Sequence, residues 1–288
     1  MKMRVTLVVG CAVIGLLLGY WLLAMPQLSQ VAISDTPVAI ARGEYLISAG
    51  GCVSCHAGSV DSSSMSGGLA LVSEFGTFYV PNITPHPETG IGGWQAKDFL
   101  LAMRHGRSPD GGYYYPAFPY RSYAGLSDQD ILDMAAYLVS LPPVESQVPP
   151  HELPFWLFRW MMAVWNLIAD FLQSDFESLS DPAQLRGAYL ARHLGHCGEC
   201  HTPRNVLGMS VLTQEFAGAT MGEGHVEALN SEALRGWTEE DFAFFLFLGM
   251  KPDGDYVGGK MEPVIEHNTS RLTEEDRQAL AAFFKRQI

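Results

Sequence analysis

Cys197-Gly198-Glu199-Cys200-His201 reads C-x-x-C-H, and Cys52-Val53-Ser54-Cys55-His56 reads the same. This is the attachment pattern of a c-type haem. On a helical turn, residues three and four apart share a face, so two thiols at that spacing reach the two vinyl groups of one porphyrin. The histidine that follows at once is placed under the iron as proximal ligand. A redox dithiol and half of a zinc site are the plainer readings. A zinc ribbon needs its two pairs roughly 15–20 residues apart, and Cys55 and Cys197 are far more distant. A redox dithiol needs no histidine beside the second cysteine, and here that histidine occurs twice. The two motifs therefore predict two covalent haem c groups. Cys52, Cys55, Cys197 and Cys200 are the attachment points, and His56 and His201 the iron ligands.

Outward from the motifs the chain repeats itself. Arg42-Gly43-Glu44-Tyr45-Leu46 precedes the first motif and Arg186-Gly187-Ala188-Tyr189-Leu190 the second. Downstream, Trp94, Asp98, Phe99, Gly106 and Pro109-Asp110-Gly111 match Trp237, Asp241, Phe242, Gly249 and Pro252-Asp253-Gly254, all at a separation of 143. The last helical patterns match as well, LSDQDILDMAAYL from Leu126 against LTEEDRQALAAFF from Leu272. The chain reads as a tandem duplication of one small all-α module. In the first copy a helix starts near Arg42, Phe75 to Thr84 passes close to the haem edge, and an amphipathic helix after Trp94 ends at Gly106. Ser108 to Tyr120 forms a proline-held loop, and Leu126 to Leu141 a last helix whose Ile131, Met134, Ala135 and Leu138 face a core. Each copy is too small for a large core of its own, and a covalently held haem would supply buried apolar surface.

The 288 residues are enough for two such domains with connecting segments. Residues 1–25 read as a transmembrane anchor: Lys2 and Arg4 precede an uncharged run from Val5 to Met25, which at ~1.5 Å per residue spans about one hydrocarbon core. The rival, a cleaved signal peptide, has a shorter apolar core and a small-residue cleavage site. Residues 26–38 are a tether, 39–143 the first haem domain, 144–180 a connector and 181–288 the second domain. Of five cysteines, four belong to the motifs and Cys11 lies in the apolar run, leaving no pair for a structural disulfide. A formal net charge of −13 argues against nucleic acid as a partner.

Within the connector, Pro154 to Leu172 could pass for a second membrane span. Topology rejects that, because it would put the two haem motifs on opposite sides of the membrane. Arg159, Asn166, Asp170 and Gln173 form a narrow polar stripe on a mostly apolar helix. Such a helix is either buried between the domains or an interface toward a membrane or partner.

These residues resemble the dihaem cytochromes c that serve as electron-transfer subunits of bacterial periplasmic alcohol, gluconate and aldehyde dehydrogenases. The matching stretches are RGEYL, FGTFYVPNITPHPETGIGGW, SPDG…YPAFPY, HCGECHTPRNVLG, KPDGDYVGGKM and the RWMMAVWNLI core of the connector. The resemblance implies two tandem class I cytochrome c domains outside the cytoplasm, held at the inner membrane by the N-terminal span. It also implies a periplasmic dehydrogenase subunit as electron donor, and a quinone, a terminal oxidase or a soluble cytochrome as acceptor. It places Met261 as the distal ligand of the second haem. One departure is Val226 to Asn230 (VEALN), which stands where the first copy has VPNIT. Another is Phe118, which the separation of 143 sets opposite Met261 and which has no donor atom. His86, His105, Met65, Met103 and Met134 are nearby alternatives for the first haem, as are water and five-coordinate iron. A cytochrome subunit of an oxidase and a dihaem peroxidase-type enzyme are the competing functions. Co-purification with a copper–haem subunit would mark the first, and an open iron with peroxide turnover the second.

Overall fold

Thr36 accepts a hydrogen bond from the Ala39 amide, and Pro37 sits in the first turn, where its missing N–H costs nothing. These signals start helix α1, Pro37–Ala49, in a computed structural model that describes residues 32–58, 64–172, 179–222 and 224–287 together with Gly19 and Leu28. The motif helix α2 (Cys52–His56) follows, then a hairpin of β1 (Ala70–Ser73) and β2 (Gly76–Tyr79), then α3 (Ala96–His105), α4 (Tyr120–Tyr123) and α5 (Asp128–Ser140). The connector carries α6 (Met161–Phe171). The second half repeats the order. Helix α7 (Pro182–Ala188) runs on into a π turn over Tyr189–Leu194, and the motif helix α8 (Gly198–His201) follows. Hairpin β3 (Ala219–Met221) and β4 (Gly224–Val226), α9 (Glu239–Leu248), α10 (Met261–His267) and α11 (Glu274–Phe284) complete it.

The same local chemistry builds both halves. Asp98 and Asp241 close capping boxes at the starts of α3 and α9, and Gly106 and Gly249 end them in the left-handed region at φ 58° and 72°. Helix α1 crosses α5 and α7 crosses α11 at glycine. A Cβ on Gly43 would lie 1.9 Å from the Asp133 carbonyl oxygen, and one on Gly187 would lie 2.1 Å from that of Ala279. The repeated R-G-x-Y-L is thus a packing signal, because only glycine lets the two backbones approach this closely. Leu46, Leu100 and Ile131 of the first half and Leu194, Phe216 and Phe283 of the second belong to one continuous apolar cluster.

The fold is mostly helical, as expected, and adds two short antiparallel hairpins that the all-α reading did not include: Ala70 pairs with Tyr79 in one and Ala219 with Val226 in the other. Strands of three or four residues carry too little alternation to stand out in sequence. The connector is not a helix buried between the halves. It is helical only from Met161, and much of its apolar side is exposed. Apart from Gly19, the expected anchor over residues 1–25 falls outside the described residues, as does Gln173. Among the described residues no helix is long and apolar enough to cross a membrane.

Candidate haem sites

Each motif occupies a short helix entered through a left-handed residue, Gly51 at φ 67° and His196 at φ 40°. The hairpin that follows then returns the chain beneath the histidine. His56 Nδ1 lies 2.8 Å from the Pro81 carbonyl oxygen and His201 Nδ1 lies 2.7 Å from that of Glu227. A carbonyl only accepts, so each Nδ1 carries the proton and donates it, which leaves the Nε2 lone pair to bind a metal. Burial reinforces this. It lowers the His56 imidazole to about 4 and lowers that of His201 too, the Glu227 carbonyl partly offsetting the effect, so both rings are neutral. Burial also pushes the Cys52 and Cys197 thiols up to about 12. A redox dithiol or zinc site needs thiolates. Among the described residues no cluster of three His, Cys, Asp or Glu side chains is arranged to hold a metal ion. The donor set fits a haem c, with two neutral thiols and one pre-oriented imidazole per motif.

Within the segment Phe75 to Thr84, Pro81 brings its carbonyl to His56 of the first motif. The departure of VEALN from VPNIT leaves the arrangement intact. The group that orients the histidine is a main-chain carbonyl, so proline at 81 and glutamate at 227 serve alike.

The two motifs face each other across a reciprocal interface that sequence reasoning missed. Tyr45 donates its hydroxyl to Asp276 (2.5 Å), which also takes two hydrogen bonds from Arg186 (2.8 and 2.6 Å). In the mirror arrangement Tyr189 donates to Asp130, which pairs with Arg42, as does Asp133. Each tyrosine oxygen also accepts a backbone N–H across the interface, Tyr45 from Thr273 (3.3 Å) and Tyr189 from Ser127 (3.1 Å). Ser54 inside the first motif donates to Asn268 (2.9 Å), and Ser122 donates to Glu199 inside the second (2.7 Å). The same surface is used twice, as in a two-fold symmetric dimer. Cys55 lies close enough to Cys200 for a charge on Cys200 to be felt at Cys55, and Tyr123 stacks edge-on against His196 at 5.5 Å. The signal available in sequence was the repetition itself: Tyr and the last-helix Asp recur in both copies.

At the pair of residues that the repeat sets opposite each other, Phe118 and Met261, the halves differ. Met261 opens α10 and is half-buried. Phe118 sits just before α4, its ring 5.7, 6.5 and 5.6 Å from those of Tyr114, Tyr120 and Tyr123. The separation of 143 holds through the bridges Arg107–Tyr113 and Met250–Tyr256, but reaches 146 by Ser122 and Asn268. Three extra residues therefore enter between them. Helix α10 is three residues longer than α4; Met261 is its first residue, whereas Phe118 precedes Pro119, the residue that caps α4. Of the other first-half candidates, Met65 and Met134 are buried in the core, Met103 packs against it, His105 is exposed, and His86 Nδ1 is engaged by Thr89.

Residues 40–142 match the cytochrome c family. The chain is 45% identical over 251 residues to a dihaem c-type cytochrome of Cereibacter sphaeroides, covering 85% of this chain and 84% of the relative. It is 35% identical to the gluconate 2-dehydrogenase cytochrome c subunit of Pantoea cypripedii, covering 91% of this chain and 63% of that one. It is 36% identical to the cytochrome c subunit of the quinone-dependent alcohol dehydrogenase of Gluconobacter oxydans, covering 85% and 54%. The chain thus spans most of the first relative but less than two thirds of the other two.

Proposed function

We propose, from the premise that this chain belongs to the cytochrome c family and is related to the cytochrome subunits of alcohol, gluconate and fructose dehydrogenases, that it is a membrane-anchored dihaem relay. It carries electrons from a periplasmic dehydrogenase subunit toward a quinone, a terminal oxidase or a soluble cytochrome. Cys52 and Cys55 hold one haem c and Cys197 and Cys200 the other. His56 and His201 are the proximal ligands, and Met261 is the distal ligand of the second. The haem domains span residues 39–143 and 181–288 and are joined by the connector 144–180. Both lie in the periplasm, held at the inner membrane by a span within residues 1–25.

The observation that carries this reading is the pair of histidines, each with Nδ1 tied to a main-chain carbonyl and each directly following a C-x-x-C pair. A bound haem c supplies one-electron exchange at its iron. The chain's own part is to fix the imidazole tautomer, to keep the thiols in place on one helical turn, and to hold the two motifs face to face. Mass spectrometry of the denatured protein should show two haem additions that survive unfolding. A single addition would overturn the dihaem reading. N-terminal analysis of the mature protein tests the anchor, which fails if the chain begins after Met25.

A further inference from the structure

Helix α6 is amphipathic in the reverse sense. Its polar stripe turns toward the first half: Arg159, just before it, donates to the Tyr113 carbonyl (2.6 Å) and to Ser108 Oγ (2.8 Å). Asn166 accepts from the Tyr120 hydroxyl (2.8 Å), and Asp170 pairs with Arg121 (2.8 Å). Met162, Ala163 and Ala169 are buried on the same side. Trp160, Val164, Leu167, Ile168 and Phe171 recur three and four residues apart, so they line one stripe. That stripe lies exposed, Trp160 at 61% and Phe171 at 87%. A surface helix of a water-soluble domain presents the opposite arrangement. The patch continues into Phe155 and Trp156, and Trp165 at its edge donates to the Leu207 carbonyl (2.9 Å) beside exposed Val206. Three of the chain's six tryptophans lie in this stretch.

The sequence indicates what covers it. From the end of the apolar run at Met25 to the start of α1 at Pro37 only about a dozen residues intervene, a reach of roughly 40 Å when fully extended. A folded body of about 250 residues is itself on the order of 45 Å across. A body on so short a leash must rest some face near the bilayer. A stripe of Trp, Phe, Leu, Ile and Val with no charge along it has the composition of an interfacial helix. Net charge of −13 disfavours anionic lipid, so apolar insertion rather than charge attraction would hold the contact.

We infer that the outward face of α6, with Phe155 and Trp156, lies in the headgroup region of the membrane and fixes the orientation of the haem domains. The inference rests on the proposed N-terminal anchor. The test uses the haem-loaded full chain reconstituted into phosphatidylcholine vesicles, with a specific protease site placed within residues 29–31. After the tether is cut, the haem domains should still float with the vesicles. The triple change Trp160→Gln, Ile168→Gln, Phe171→Gln should lower that retention by roughly tenfold or more, since three large apolar side chains no longer leave water. Unchanged haem content and absorption spectrum would show that the variant folds. Val164→Glu on the same stripe replaces it if it does not. Release of the cut wild type, or equal retention of wild type and variant, overturns the inference. So does retention that appears only when a dehydrogenase is co-reconstituted, which would assign the face to a protein partner. Failure of the anchor reading looks different: the mature protein would begin after Met25.

Discussion

The first half of the chain sets Phe118 among Tyr114, Tyr120 and Tyr123, at the place where the second half starts a helix with Met261. Beneath the histidines the halves are interchangeable, each with a hairpin return, one carbonyl and one Nδ1–H. The contrast has a physical origin. The proximal side is built from main-chain groups and helix crossings, which tolerate changes of side chain but not of geometry. On the proposed ligation the distal side depends on one side chain, Met261 or its counterpart Phe118, and that residue can change while the fold stays the same. A duplicated module can therefore acquire two different iron environments without altering its core.

Met261→Ala and Phe118→Met address this contrast most directly, and their effects should be the largest. On the proposed ligation, Met261→Ala abolishes the sulfur-to-iron charge-transfer band at the red end of the spectrum. It should lower one midpoint potential on the order of 0.1 V, within the ~0.8 V range that axial ligands command. Phe118→Met should raise only the lower of the two wild-type potentials. Two equal methionine-ligated spectra in the wild type would erase the contrast and imply that a neighbouring methionine of the first half has taken over.

Where the halves agree, the agreement can be broken in either one. Gly43→Ala and Gly187→Ala each drive a Cβ to within about 2 Å of a carbonyl oxygen across a helix crossing (1.9 and 2.1 Å). Overpacking of this kind typically costs about 1–3 kcal/mol, and more where backbone must move. Chemical denaturation followed by far-UV circular dichroism should show comparable losses for both. A large loss at one glycine alone would mean that the two crossings are not equivalent.

Much of this organisation was legible beforehand, and the failures share a cause. The motifs, the helix ends at Gly106 and Gly249, and the R-G-x-Y-L repeat declare themselves because each rests on a local rule. The hairpins did not, because their strands are too short to show a period. The separation of equivalent residues drifts along the duplication. It is 144 at Tyr45 and Tyr189, 145 at the motifs, 143 near Gly106 and 146 at Asp130 and Asp276. The ends of the repeat stand out by their local patterns, but the offset of 143 does not pair Ser122 with Asn268. The direction of the connector's polar stripe was also invisible. Periodicity separates a polar from an apolar face, but which one turns inward depends on partners such as Ser108 and Tyr120, far away in sequence.

The smallest predicted effect tests whether the reciprocal interface is balanced. Burial alone would favour the neutral acid at Asp276, but hydrogen bonds from Arg186 and Tyr45 outweigh it and hold this carboxyl below the usual carboxylate range. A carboxyl lowered on folding stabilises the folded state above its unfolded value, about 3.9 for aspartate. That stabilisation is lost as the pH falls through the lower, folded value. Unfolding free energy should therefore drop on acidification below about pH 4, and Asp276→Asn should flatten that limb while costing stability at neutral pH. Tyr45→Phe removes one hydrogen bond to the carboxylate and leaves both from Arg186. Tyr189→Phe does the same to Asp130, which keeps Arg42. Hydrogen bonds to charged groups are worth about 1.5–3 kcal/mol when buried. Here both arginines are partly exposed, so about 1 kcal/mol per tyrosine is expected. Equal losses, adding in the double variant, would show that the two contacts act as independent copies. A loss confined to Tyr45→Phe would mean that Asp133, which gives Arg42 a second acceptor where the other half has Ala279, already secures the Asp130 side without its tyrosine.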